Sequence, residues 1–119
     1  MNCHTAVIHI DHSRYMDEQE AISALRALGE PTRWKVMCLL ARSQHGMAAG
    51  DIAEALQVRQ NTLSSHIAVL TRCGLLDGHR QGRQIVYVAD SGNVRRLAAQ
   101  LLIGMGEIPE STAAKLFRK

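Results

Sequence analysis

Between positions 60 and 65 the chain runs Gln60, Asn61, Thr62, Leu63, Ser64, Ser65, a stretch of amides and hydroxyls with one apolar residue among them. A primary amide carries a donor and an acceptor on one planar edge, which matches the N6 and N7 edge of adenine in a DNA major groove. Short hydroxyl side chains let a helix backbone approach base edges closely. A helix built only to face water would display Lys and Glu, whose long side chains favour both helix and solvent. Gln60, Asn61, Ser64 and Ser65 are therefore candidate base-reading residues. Basic side chains stand on either side of them in the sequence: Arg59, Arg72, His79, Arg80 and Arg83. These five are candidates for contacts to phosphates or to a minor groove.

That chemistry requires one shared helical face. At 100° per residue Leu63, Ile67 and Leu70 cluster on one side, while Asn61, Ser65, Ala68 and Arg72 point the opposite way, flanked by Gln60 and Ser64. Val58, Arg59 and Gln60 are expected to turn tightly into this helix, and Gly74 to end it. A preceding helix, roughly Ala48 to Leu56, buries Ile52, Ala53 and Leu56. Two β-prone segments follow Gly74, Leu75 to Arg80 and Gln84 to Ala89, joined across Gln81, Gly82 and Arg83. They predict a hairpin that carries Arg80 and Arg83 around its tip. Two helices on a short turn with a hairpin directly after them form a winged helix-turn-helix, whose second helix enters the major groove.

The other elements must support that unit. Ala21, Ala24, Leu25 and Leu28 repeat at helical spacing after Asp17, Glu18 and Glu20, which suit the positive end of a helix dipole. Gly29 closes this first helix. Glu30 and Pro31 open a second, because proline in the first turn loses only a donor that has no partner there. Trp34, Val36, Met37, Cys38, Leu39 and Leu40 make it apolar too broadly for a solvent-facing helix. It is expected to be central, with Cys38 a buried structural thiol. Ser43 to Gly46 form a loop. A last long helix, Gly92 to about Ile103, repeats Val94, Leu97, Ala98, Leu101 and Leu102 on one face, and Pro109 is expected to start a short helix over Ser111 to Phe117. The fold class is thus mainly α with a small β-hairpin, in the order α-α-α-α-β-β-α. The chain divides into an N-terminal arm (1–16), the winged domain with its association helices (17–104) and a C-terminal tail (105–119).

Bulk properties agree. A length of 119 residues with 46% hydrophobic composition suits one core. Four aromatic residues, Tyr15, Trp34, Tyr87 and Phe117, leave that core to Leu, Ile, Val, Ala and Met. Residues 1–58 carry five basic and seven acidic groups, 59–84 carry four and one, and 85–119 carry five and three, so positive charge concentrates on the candidate reading unit. No apolar run has the length of a membrane span and no secretory leader is visible, which predicts a cytoplasmic protein. No nucleophile-base pair, paired carboxylates or phosphate-binding Gly loop stands out, so no enzyme is expected.

The stretch Ala27-Leu-Gly-Glu-Pro-Thr-Arg33, then Asp51-Ile-Ala-Glu-Ala-Leu, Gln60-Asn-Thr-Leu-Ser-Ser-His-Ile-Ala-Val-Leu70, Gly74-Leu-Leu and Arg80-Gln-Gly-Arg83 resembles the ArsR/SmtB family of winged-helix repressors over roughly residues 21–102. The resemblance implies a homodimer formed by the first and last long helices, binding double-stranded DNA at a palindromic operator. It also implies release from DNA by a metal, metalloid or thiol-reactive signal, arsenite, antimonite or another soft metal being the candidates. Apolar faces on both helices support the dimer, because a core of this size covers them incompletely. Ala21, Leu25, Leu28, Val94, Leu97, Ala98 and Leu101 are the expected contacts.

The departures concern the signal and one cap. Where arsenic- or cadmium-binding members place cysteines, this chain has Gly46-Met-Ala-Ala-Gly50; the zinc-type pattern on the last helix meets Asp90, Ser91, Gly92 and Asn93 instead. The Gly-Met-Ala-Ala-Gly segment resembles a proteobacterial arsenic-type branch, but Ile103-Gly-Met-Gly106 lacks its cysteine pair. Soft-metal candidates are then Cys3, His4, Cys38 and Cys73, with His9 and His12 in the arm. Arg59 stands where the family usually caps the reading helix with Ser or Thr, so Asn61 is expected to cap a slightly later start. His66 falls toward the buried edge of that helix and reads as a packed histidine. Two other readings stay open: a winged helix used for protein association without DNA, and a repressor with no small-ligand inducer.

Overall fold

The computed structural model describes residues 15–113 and 115. The candidates Cys3, His4, His9 and His12, the arm before Tyr15 and Phe117 lie outside them.

Among the described residues six helices and three short strands follow in the order α1 (Glu18–Leu28), α2 (Pro31–Ala41), β1 (Met47–Ala48), α3 (Ala49–Leu56), α4 (Gln60–Arg72), β2 (Leu76–Gln81), β3 (Gln84–Ala89), α5 (Ser91–Gly104) and α6 (Glu110–Ala113). Local chemistry sets the starts. Asp17 accepts from the Glu20 backbone N–H at 2.8 Å while Glu20 accepts from that of Asp17 at 3.2 Å, a reciprocal capping box on α1. Glu30 accepts from the Arg33 backbone N–H at 3.2 Å and so caps α2 ahead of Pro31. Asp90 does the same for α5 through the Asn93 N–H at 3.0 Å.

The three inner residues of α4, Leu63, Ile67 and Leu70, are 0%, 3% and 0% exposed and meet Val36, Leu40, Ile52 and Leu75 in one core. The turn from α3 to α4 is three residues long, with Gln57 left-handed at φ 57°. Gly74, at φ 79°, ends α4 and lets the Leu75 N–H reach back to the Leu70 carbonyl at 3.0 Å.

The sheet has the order β1-β3-β2, all antiparallel. Gln81 pairs with Gln84, so Gly82 and Arg83 alone form the hairpin turn, Gly82 supplying the positive φ that such turns require. The third strand, β1, was not expected from the sequence. It pairs Met47 with Tyr87 and Ala48 with Val86, and ties the wing to the start of α3. Gly46 makes this possible: a Cβ there would lie 2.5 Å from the Tyr87 carbonyl oxygen, at a φ of +80°.

Two expectations are corrected. Cys38 is exposed, and Trp34 is 57% exposed. Helix α2 buries Val36, Met37 and Leu40, which turns Trp34, Cys38 and Ala41, at i, i+4 and i+7, away from the core. In the last segment the helix begins at Glu110, ahead of the expected Ser111.

Replacing Leu70 by Ala removes a fully buried side chain shared by α4 and the core and is expected to cost about 2–5 kcal/mol. Urea unfolding measures it; a midpoint equal to that of the parent would show that this face of α4 is not part of the core.

Candidate nucleic-acid interface

With Leu63, Ile67 and Leu70 held inside, the other face of α4 has to point outward. Gln60, Asn61, Ser64 and Ser65 are all exposed, as are Arg59 and Arg72. The Ser64 hydroxyl donates to the Gln60 carbonyl at 2.9 Å and the Ser65 hydroxyl to that of Thr62 at 2.9 Å. Each serine therefore turns acceptor lone pairs outward, toward groups such as the amino edges of adenine or cytosine. Helix α4 begins at Gln60 after Arg59, with no side-chain cap. Asn61 does not cap a later start, because it already lies within the first turn, where its Oδ1 accepts from the Thr62 N–H at 2.9 Å.

The wing supplies His79, Arg80 and Arg83, all exposed on β2 or the turn after it. His79 Nε2 lies 3.3 Å from Asp77 Oδ2, two residues away on the same face of the strand. The two arginines have no acidic partner of that kind among the described residues. Together they place cation-bearing side chains on a second element beside the polar helix face.

What holds α4 in place was only partly visible in the sequence. His66, on the flank of α4, has its Nδ1 3.3 Å from Arg33 Nη1 and 3.4 Å from Glu30 Oε2, while Arg33 Nε donates to the Ala27 carbonyl at 2.6 Å. This cluster joins the start of α2 to the middle of α4. At the other end Asn93, 0% exposed, donates its amide N–H to the Gly74 carbonyl at 2.8 Å and accepts from Arg96 Nη1 at 3.0 Å. Arg96, 2% exposed, reaches Glu20 Oε2 at 3.6 Å, and its carbonyl takes the Met16 N–H at 3.3 Å. Sequence reasoning missed Asn93, Arg96 and Glu20 as positioning residues. Their signal was there: positions 93, 96 and 97 share one side of α5, the side that Leu97 buries.

The expected dimer face is narrower than the sequence suggested. Leu25, Val94 and Leu101 are exposed at 42%, 40% and 42%, Ala98 is exposed and Leu28 is half-buried. Ala21 and Leu97, each 6% exposed, are taken up by the protomer's own core where α1 crosses α5. As for metals, the described residues bring no three His, Cys, Asp or Glu side chains together. Cys73 donates its thiol to the Ser23 carbonyl at 3.7 Å, and Cys38 lies on the outer side of α2. No step through a bound metal follows from these residues.

Comparison with known proteins gives one consistent answer. Residues 30–77, from α2 to the first residues of the wing, match the family model described as bacterial regulatory protein, arsR family. The biofilm growth-associated repressor of Agrobacterium fabrum is 32% identical over 69% of this chain and 68% of its own length. The HTH-type transcriptional regulator NmtR of Mycobacterium tuberculosis is 34% identical over 69% of each chain. Among solved structures, an ArsR-like transcriptional regulator from Rhodococcus sp. RHA1 superposes with a TM-score of 0.65 at 28% identity, covering 74% of this chain and 80% of that one.

The Glu30 brace carries a pH dependence. Desolvation pushes its carboxyl up, but hydrogen bonds from the Thr32 and Arg33 backbone N–H groups and the charges of His66 and Arg33 outweigh it, holding the group below its ordinary 4.5. A lowered folded-state value contributes stability that is present above pH 4.5 and lost as pH falls through that lower value. Glu30→Gln should therefore flatten the acid side of the melting-temperature profile; an unchanged acid limb would show that Glu30 does not contribute to it.

Proposed function

This chain belongs to the ArsR family of bacterial regulatory proteins, and from that footing we propose that it is a dimeric repressor that reads a palindromic operator with α4 and grips the flanking backbone with the wing. The observation that carries the reading is the outward face of α4: four short polar side chains, all exposed, on a helix whose opposite side is fixed in the core. Amides of Gln60 and Asn61 supply bidentate edges for adenine, and Ser64 and Ser65 supply acceptors. Arg59, Arg72, Arg80 and Arg83 supply charge-assisted contacts to phosphates, which position the protein without reading sequence.

Two copies related by a twofold axis bring two reading helices to half-sites about 34 Å apart, one turn of the duplex. Occupation of such a site by the dimer blocks access of other proteins to the same DNA, which is sufficient for repression. No helix among the described residues is long and apolar enough to cross a membrane, in keeping with a partner that is nucleic acid. The residues of α4 and the wing recognise and hold DNA; nothing in their arrangement pairs a nucleophile with a base.

Selected operator DNA and mutants test this directly. Asn61→Ala should relax discrimination at one base step by about 1–3 kcal/mol, whereas Arg83→Ala should weaken binding to all sequences and reduce the salt dependence. Binding isotherms at two salt concentrations on matched and mismatched duplexes measure both. A base preference left intact in the Asn61 variant would remove that residue from the reading set, and affinity indifferent to salt would remove DNA as the partner.

A further inference from the structure

Among the described residues seven large hydrophobic side chains are notably exposed: Ile22, Leu25, Trp34, Ile85, Val94, Leu101 and Met105. Ile85 is on the wing. The other six lie on α1, α2 and α5 or directly after α5, and two of them, Trp34 and Val94, share one side. Between α2, β3 and α5 this side opens into a cleft of about 470 Å³. Met37 and Val88 line it, Trp34 and Cys38 stand on its α2 wall, and Leu28 and Val94 join it to the apolar faces of α1 and α5.

We infer that a second copy of this chain covers α2 as well as α1 and α5, with the exposed indole of Trp34 and the neighbouring cleft as part of the self-association surface. The inference rests on the dimer reading above and extends it to a third helix. Three observations choose this occupant. The patch is continuous with the α1 and α5 face through Leu28 and Val94, residues that border both. That face alone is thin, because Ala21 and Leu97 are used inside the protomer and the exposed Leu25, Val94 and Leu101 show only about 40% of their surface each. A stable interface buries about 800 Å² per partner, and the exposed 57% of Trp34 adds apolar area to what α1 and α5 offer.

Charge supplies the third argument. No Lys, Arg, Asp or Glu lines the cleft, so a protein of formal net charge +3 can meet its own copy there without like charges facing each other. Nucleic acid or an acidic partner would find no cation to hold. A twofold interface also has to be self-complementary, and a projecting ring next to a concavity on one patch provides a knob and a hole for each copy. The two copies then touch through α2, the helix that Glu30, Arg33 and His66 brace against the reading helix.

Trp34 is the chain's one tryptophan, so its emission reports this surface without labelling. Sedimentation velocity over a dilution series gives the monomer and dimer fractions, and acrylamide quenching is measured on the same samples. The expected result is a blue-shifted, poorly quenched indole in the dimer that becomes red-shifted and quenchable in step with dissociation. Leu101→Asp, on the α5 face, should yield a folded monomer by circular dichroism with a freely quenched indole. Trp34→Ala should weaken dimerisation roughly tenfold or more while leaving the melting temperature of the monomer unchanged. In a Cys3→Ser, Cys73→Ser background, Cys38 should react with a disulfide reagent faster as monomer than as dimer. A dimer whose indole is as quenchable as that of the monomer would overturn the inference and leave the dimer reading standing. If that indole were instead shielded by an added apolar dye, the cleft would be a small-molecule site, and the inference would fall equally. A chain that is monomeric at every concentration would overturn the dimer reading itself and the inference with it.

Discussion

Gly74 leaves the end of α4 in the left-handed region, and its carbonyl is taken by the buried amide of Asn93 at 2.8 Å. The amide is fully buried and the glycine half-buried, so removing the amide withdraws one hydrogen bond from the end of α4, at a cost of about 0.5–1.5 kcal/mol. The same amide accepts from Arg96, and Arg96 faces Glu20 in the capping box of α1. One short polar chain therefore joins the first helix, the last long helix and the end of α4. Strand β2 starts two residues after Gly74, so the direction of the wing is set from the same point.

That arrangement explains how a surface helix can present short polar side chains without the long charged ones that usually stabilise such positions. The inner side of α4 contributes three fully or nearly fully buried aliphatic residues, and both flanks are tied by hydrogen bonds, at His66 and at Gly74. Helix stability then comes from tertiary packing and not from propensity. The outward residues are left to be chosen for what they touch. A left-handed Gln57 in the connecting turn, where glycine would be easier, belongs to the same economy: the backbone is bent sharply because two packed helices require it.

Much of this was legible beforehand, and the places where it was not have physical causes. The inner stripe of α4 carries a strong period, so its face and its polar opposite could be assigned from Leu63, Ile67 and Leu70 alone. Helix α2 carries apolar residues on nearly every side, and composition then cannot say which of them meet the core; Trp34 and Cys38 went outward because Val36, Met37 and Leu40 fit inward. Strand β1 is two residues long and has no period to detect. Its existence depends on Tyr87 and Val86, forty residues on, and on the close approach that Gly46 permits. Asn93 and Arg96 share the buried side of α5 with Leu97, but only tertiary structure brings their partners, the Gly74 carbonyl and Glu20, to them. The membership and order of the DNA-facing candidates came from local pattern, whereas the groups that hold them came from long-range contacts.

Because β3 lies in the middle of the sheet, β2 is its long open edge, and of its six residues only Leu76 is buried. Such an edge exposes unpaired backbone donors and acceptors that could template strand addition by a neighbouring molecule. Here Asp77, His79 and Arg80 line it, with Gly78 between, so a fresh strand would have to bring its backbone against mixed charge and a residue of poor β-propensity. The side chains proposed to approach a phosphate thus also discourage the wing from seeding fibrils or sheet-to-sheet aggregates when the protein is crowded and no duplex is at hand.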